Sequence, residues 1–137
     1  MKRLILINLL FLFMLLLHSP AASQDAAGEP IPQVPTPGMV TMLDLGAHKC
    51  IPCKMMAPVI EELQKEYQGR ASVIFIDVWQ NREEGAKYSL RAIPTQIFYD
   101  ETGKEVSRHV GYMDKKSIVA MFDKLGVPKT KAAGNAQ

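Results

Sequence analysis

The apolar positions of this chain fall into two alternating periods. Met39 to Ala47 gathers Val40, Met42, Leu43 and Leu45 in one short run and reads as a buried strand. Cys53 to Tyr67 carries Met56, Val59, Ile60, Leu63 and Tyr67 at three-to-four spacing, the stripe of a helix with one face buried, and Gly69 is placed to end it. Ser72 to Val78 is rich in β-branched and apolar residues and predicts a central strand. Arg82 to Leu90 predicts a short helix. Gln96 to Asp100 and Glu105 to Val110 predict two strands joined by a turn at Glu101-Thr102-Gly103-Lys104. A last helix starts at Asp114 or at Lys116-Ser117, buries Ile118, Met121, Phe122 and Leu125, and is stopped by Gly126 and Pro128. The order β-α-β-α-β-β-α implies an α/β fold. Parallel right-handed crossovers come first and an antiparallel hairpin last, giving a four-stranded mixed sheet flanked by helices.

The ends follow other rules. Residues 1–23 run from Lys2-Arg3 through an apolar stretch, Leu4 to Leu17, to the small residues Ala21 and Ser23. That is the order of a signal peptide, and the stretch is shorter than the roughly 20 residues of a membrane span. Export to the periplasm or another extracytoplasmic space is expected, with a membrane-anchored form if the peptide is not cleaved. Residues 24–38 hold Pro30, Pro32, Pro35 and Pro37 and predict an extended linker. Residues 129–137 predict a flexible tail, which leaves 39–128 as the single domain.

Charge changes the picture little. The chain of 137 residues carries a net charge of +2, and removing Lys2 and Arg3 leaves 14 basic against 14 acidic residues. A nucleic-acid partner is not expected. Two cysteines exclude a multi-disulfide scaffold.

Those two cysteines carry the candidate chemistry. Cys50-Ile51-Pro52-Cys53 sits where the first strand gives way to the first helix, and a C-x-x-C pair in that context is a redox dithiol motif. Thiol exchange needs a thiolate, and a helix N-terminus offers partial positive charge and free amide donors. Lys49 and Lys54 add positive charge. Cys50, at the tip, is expected to be the exposed attacker and Cys53, one turn inside, the resolving thiol. Other uses of the pair are a static disulfide or a metal site with His48. Haem attachment is excluded, because Lys54 follows the second cysteine where a histidine is required. Pro58 falls inside the helix and is expected to kink it. Asp44 lies in an apolar strand, six residues before Cys50, on the face of Met42 and Gly46. Pattern alone leaves it either solvent-facing or a buried proton carrier.

With these residues in hand, the segment from Met39 to Leu125 resembles the thioredoxin family. Cys50-Ile51-Pro52-Cys53-Lys54-Met55 is similar to that family's C-G-P-C-K-M, and Pro58 falls on its helix proline. Lys87 to Thr95 resembles the segment ending in its cis-proline loop, Asp44 matches its buried aspartate, and Gly111 falls near the glycine after its last strand. The resemblance implies that Cys50 is the nucleophile, Cys53 resolves, Asp44 shuttles a proton, and Ile93-Pro94 is cis and lines the substrate groove. It implies a thioredoxin-like thiol-disulfide oxidoreductase that needs no cofactor. Its partners would be disulfide-containing protein substrates and an external redox partner that recharges the dithiol, with the protein itself a monomer.

The chain also departs from the family pattern. Lys49 stands where a tryptophan is usual and Gly46 where another aromatic is usual, Phe75 replaces a lysine that commonly neighbours the buried acid, and Ile51 replaces glycine. Pro52 with no histidine between the cysteines favours a reductase over an oxidase. The alternative function is a Cu(I) chaperone using Cys50 and Cys53 with His48 and Met55 or Met56, since soft ligands suit that ion.

Overall fold

The computed structural model describes residues 31–129. The expected signal peptide, the first part of the expected linker and nearly all of the expected tail lie outside the described residues. The elements run β1 (Thr41–Gly46), α1 (Ile51–Glu66), β2 (Ser72–Asp77), α2 (Arg82–Lys87), β3 (Thr95–Tyr99), β4 (Glu105–Val110) and α3 (Lys115–Lys124). The sheet is four-stranded and mixed, in the order β2-β1-β3-β4. β1 pairs parallel with β2 across the α1 crossover, whereas β3 runs antiparallel to β1, so only the first of the expected parallel crossovers is present; β3 and β4 form the hairpin.

Alternation along the strands divides the core in two. One face sends Met42, Val73 and Phe98 against Met56, Ile60 and Leu63 of α1 and Ile118 and Phe122 of α3. Tyr67, fully buried at the end of α1, closes this layer with its ring centroid 4.6 Å from that of Phe122. The other face sends Leu43, Leu45, Ile74, Ile76, Ile97 and Tyr99 against Tyr88 and Leu90, which follow α2. β1 and β3 are the interior strands, and all six residues of β1 are buried. β2, expected as a central strand, is instead an edge, its apolar run covered on both faces. Each large apolar side chain so buried stabilises the fold by about 1.5–3 kcal/mol. β4 is the exposed edge, where Arg108 forms a two-pronged pair with Glu105 at 2.8 and 2.9 Å. Charge of this kind discourages pairing with another chain.

Local chemistry sets the element ends. Asp114 caps α3 by accepting from the Ser117 amide at 2.9 Å, which settles the helix start on the aspartate. α2 stops at Lys87, three residues short of the predicted end, because Ser89 turns to the left-handed region at φ 51°. Residues 31–38, expected as linker, lie against the domain. Ile31 and Val34 pack on the second core face, and the Thr36 hydroxyl donates to Ser72 Oγ at 2.7 Å. The Val34–Pro35 peptide is cis, and Pro35 Cγ approaches Gly103 in the β3–β4 turn.

Candidate active site

β1 ends at Gly46, and the chain passes through Ala47, His48 and Lys49 to the start of α1. Cys50 is the N-cap residue of α1, with extended backbone (φ −82°, ψ 125°). Its carbonyl accepts the first helical bond from the Lys54 amide at 3.0 Å, while its side chain makes no capping bond. Pro52 stands in the first turn, where its missing N–H leaves no gap in the helix ladder. Pro58 does leave one, since it cannot donate to the carbonyl of Lys54.

Cys50 and Cys53 are joined as a disulfide, with Cα atoms 5.2 Å apart. In this disulfide form Cys50 is 8% exposed and Cys53 4%. Ala47 and Ile93 pack against the pair. Ile93 comes from the loop before β3, and the Ile93–Pro94 peptide is cis. Pro94 is buried, and its carbonyl accepts from the Gly111 amide at 2.8 Å, which ties the loop to the end of β4. Exposed apolar side chains stand beside the dithiol, Ile51 at 78% and Met55 at 54%, among the exposed His48, Lys49 and Lys54. Four residues apart, Ile51 and Met55 share one helix face.

Asp44 is wholly buried on β1 and faces α1, so it is not solvent-facing. Its Oδ1 accepts from Gln96 Nε2 at 2.7 Å, and its Oδ2 has no hydrogen-bond partner among the described residues. A methyl group on Gly46 would lie 3.4 Å from that Oδ2, 3.3 Å from Cys53 Cβ and 3.0 Å from Phe75 Cε2. The free carboxylate oxygen and Cys53 therefore flank one gap. Burial pushes the Asp44 carboxyl up from its ordinary 3.8 to about 6, against the downward pull of the Gln96 bond. An acid poised there can exchange a proton near neutral pH.

Asp77, at the end of β2, anchors the loop that presents Cys50. Its Oδ2 accepts from the His48 amide at 2.9 Å and meets His48 Nδ1 at 2.5 Å. Its Oδ1 accepts from the amides of Trp79 and Gln80 at 2.9 and 3.1 Å. Burial pushes the Asp77 carboxyl up, but the bonds from His48, Gln80 and Trp79 together outweigh it and leave the group below the ordinary range. The His48 ring also meets the Phe75 ring edge-on at 5.1 Å. A cleft of about 400 Å³ opens beside Cys53, walled by Ala47, His48, Ile60 and Phe75 among others. Among the described residues no group of three or more His, Cys, Asp or Glu is placed to hold a metal ion.

The sequence reading missed Gln96 and Asp77. Gln96 was counted only as part of a strand, although a glutamine in a run of buried apolar residues is costly and asks for a partner. Asp77 likewise closed a strand, and its link to His48 spans 29 residues.

A mixed sheet, flanking helices and a dithiol at the start of the first helix define a class of α/β redox proteins. The Thioredoxin family profile matches residues 33–124. The chain is 40% identical over 85 residues to thioredoxin of Staphylococcus aureus (strain Mu50 / ATCC 700699), covering 62% of this chain and 81% of that one. Fasciola hepatica thioredoxin, an X-ray structure, superposes with a TM-score of 0.57 at 35% identity, over 64% of this chain and 82% of that one. A malarial protein of known structure shares the fold, with a TM-score of 0.58 at 24% identity, over 63% of this chain and 96% of that one. The chain belongs to the thioredoxin family and is a thiol-disulfide oxidoreductase.

Proposed function

We propose that this protein is an exported reductase of protein disulfides. The observation that carries the reading is the Cys50–Cys53 disulfide at the head of α1, with one free oxygen of buried Asp44 bordering the same gap as Cys53. In the reduced protein the Cys50 thiolate attacks a substrate disulfide. A Cys50–substrate disulfide forms, and the first substrate sulfur leaves as a thiolate that takes a proton from water. Cys53 then gives its proton to Asp44 and attacks Cys50 Sγ. The mixed disulfide breaks, the second substrate thiolate leaves, and Cys50–Cys53 is left oxidised. Two electrons have passed to the substrate, and an external dithiol reductant must return them. Ile93, packed beside the dithiol, and the Pro94 that follows it form one wall of the substrate groove, and exposed Ile51 and Met55 offer apolar contact to an unfolded segment.

Reduction is favoured by Pro52 and the absence of histidine between the cysteines. Export is favoured by Lys2-Arg3, the apolar stretch and the small residues to Ser23, with residues 39–128 as the delivered domain.

The test is catalysis of insulin reduction by the metal-free protein with dithiothreitol. Activity is expected in the wild type and none in Cys50→Ser, while Cys53→Ser should accumulate long-lived mixed disulfides through Cys50. An equilibrium potential near roughly −270 mV supports a reductant, and one near about −120 mV overturns the direction. Full-length chain expressed in a Gram-negative host should yield periplasmic protein beginning at Gln24. An inert metal-free sample that binds Cu(I) one-to-one would favour the copper carrier instead.

A further inference from the structure

We infer that Gln96 is a positioning residue for the resolving step, holding the Asp44 carboxyl so that Oδ2 stays turned to the gap beside Cys53. The inference rests on the proton role proposed for Asp44. Gln96 is wholly buried on β3, directly opposite Asp44 in the β1–β3 register. Its Nε2 donates to Asp44 Oδ1 at 2.7 Å, and its own Oε1 has no hydrogen-bond partner among the described residues. Packing does not account for it, because an apolar side chain of similar length would fill the site without burying an amide. The acid does account for it. Gln96 Nε2 donates to Oδ1 of the ionised carboxylate and, once Oδ2 has taken the proton, to the same Oδ1 as the carbonyl oxygen of the neutral acid. Gln96 therefore keeps one hydrogen bond to Asp44 on both sides of the proton transfer. Because it lies two residues beyond Pro94, it also joins the acid to the loop that packs beside the dithiol.

The surroundings leave the task to Gln96. Across the sheet the row on this face reads Phe75, Asp44, Gln96 and His109. His109 lies beyond Gln96 on exposed β4, with Nε2 3.2 Å from the Tyr112 carbonyl oxygen. The His48 ring meets Phe75 edge-on and its Nδ1 is held by Asp77. From α1, Cys53 borders the gap through its Cβ, and Lys54 and Glu61 line the adjoining cleft beside Cys53 and Phe75; Lys115 of α3 is taken up by Glu62 and Glu66.

The test is Gln96→Met, with Gln96→Leu as a second apolar replacement. Two readouts are needed: the carbon-13 titration of the Asp44 carboxyl in the oxidised protein, and the pH profile from 5 to 9 of single-turnover reduction of a fluorescent peptide disulfide. Loss of the donor should move both inflections upward together by about one pH unit, with resolution about tenfold slower on the acid side. A merely structural glutamine would change the unfolding midpoint and leave both inflections in place, and that result overturns the inference. Asp44→Asn tests the underlying role separately. A wild-type rate profile in that variant overturns the proton role of Asp44. An unmoved carboxyl inflection in Gln96→Met overturns the role of Gln96 whatever Asp44→Asn does.

Discussion

Replacing Asp44 by asparagine should make the oxidised protein more stable at neutral pH and the enzyme slower. Asp44 is wholly buried, and among the described residues the Gln96 amide is its one side-chain hydrogen-bond partner. Its carboxyl rises from 3.8 to about 6 because burial disfavours the charge. At about 1.4 kcal/mol per pH unit, that rise corresponds to roughly 3 kcal/mol of native-state cost once the group is ionised. The folded protein holds this proton more tightly than the unfolded chain, so the favourable contribution is full below pH 3.8 and is lost as pH rises through about 6. Asparagine never ionises and can still accept from Gln96 through its amide oxygen.

Urea midpoints of the two oxidised proteins from pH 3 to 9 test this, since the cysteines then do not titrate. Above about pH 7 the asparagine variant should be more stable by about 2–3 kcal/mol, a shift of roughly 10–20 °C in melting temperature for a domain of this size. Near pH 3 the difference should vanish. Carboxylates common to both proteins cancel in the comparison. Asp44→Ala should gain less, because it leaves the Gln96 amide buried without its acceptor. A difference that is constant with pH, or an asparagine variant less stable at pH 8, would refute the assignment of a costly buried charge. The same variant should slow release of substrate from the mixed disulfide, because Cys53 loses its proton acceptor.

Two further perturbations probe the frame around the dithiol. Asp77→Asn weakens the tie between β2 and the His48 loop and should cost about 1.5–3 kcal/mol above pH 4, read from the urea midpoint. Asp77 lies below the ordinary range, so its contribution is present above pH 3.8 and lost on acidification; the two proteins should converge in acid. Gly46→Ala puts a methyl 3.0 Å from Phe75 Cε2 and 3.3 Å from Cys53 Cβ, and should cost about 1–3 kcal/mol by overpacking. Equal stability of glycine and alanine there would mean that the Phe75 ring moves aside freely.

How far the sequence could be read depended on how local each cause was. The α1 stripe from Met56 to Tyr67, the Ser72 run and the Asp114 cap express themselves within a few residues, and their positions were legible. The dithiol was legible because its chemistry needs a helix start, and a helix start has its own pattern. The burial of Asp44 was not legible from alternation, which says only which residues share a face. Its partner stands 52 residues away, and no local rule connects them. The linker hid its role for a related reason: its prolines suggest an extended tether, but Ile31 and Val34 are apolar, and the second core face receives them.

The departures from the family pattern around the dithiol are physically coupled. Gly46 stands where an aromatic is usual and Phe75 where a lysine is usual, and these neighbours on β1 and β2 meet at the same gap. Bulk has moved from β1 to β2. The polar partner of the acid comes from β3, as Gln96. Restoring a cation alone should therefore disturb this balance. Phe75→Lys directs an ammonium toward Asp44 from the strand opposite Gln96, and a neighbouring cation favours the ionised acid. The Asp44 carboxyl should fall below about 6, and the stability gained by Asp44→Asn at pH 8 should shrink by about half or more in the Phe75→Lys background. A double-mutant cycle measures that coupling and cancels the packing lost with the ring. If Asp44→Asn stabilises both backgrounds equally, the side chain at 75 does not set the charge state of the acid, and the exchange of lysine for phenylalanine concerns packing beside Cys53 alone.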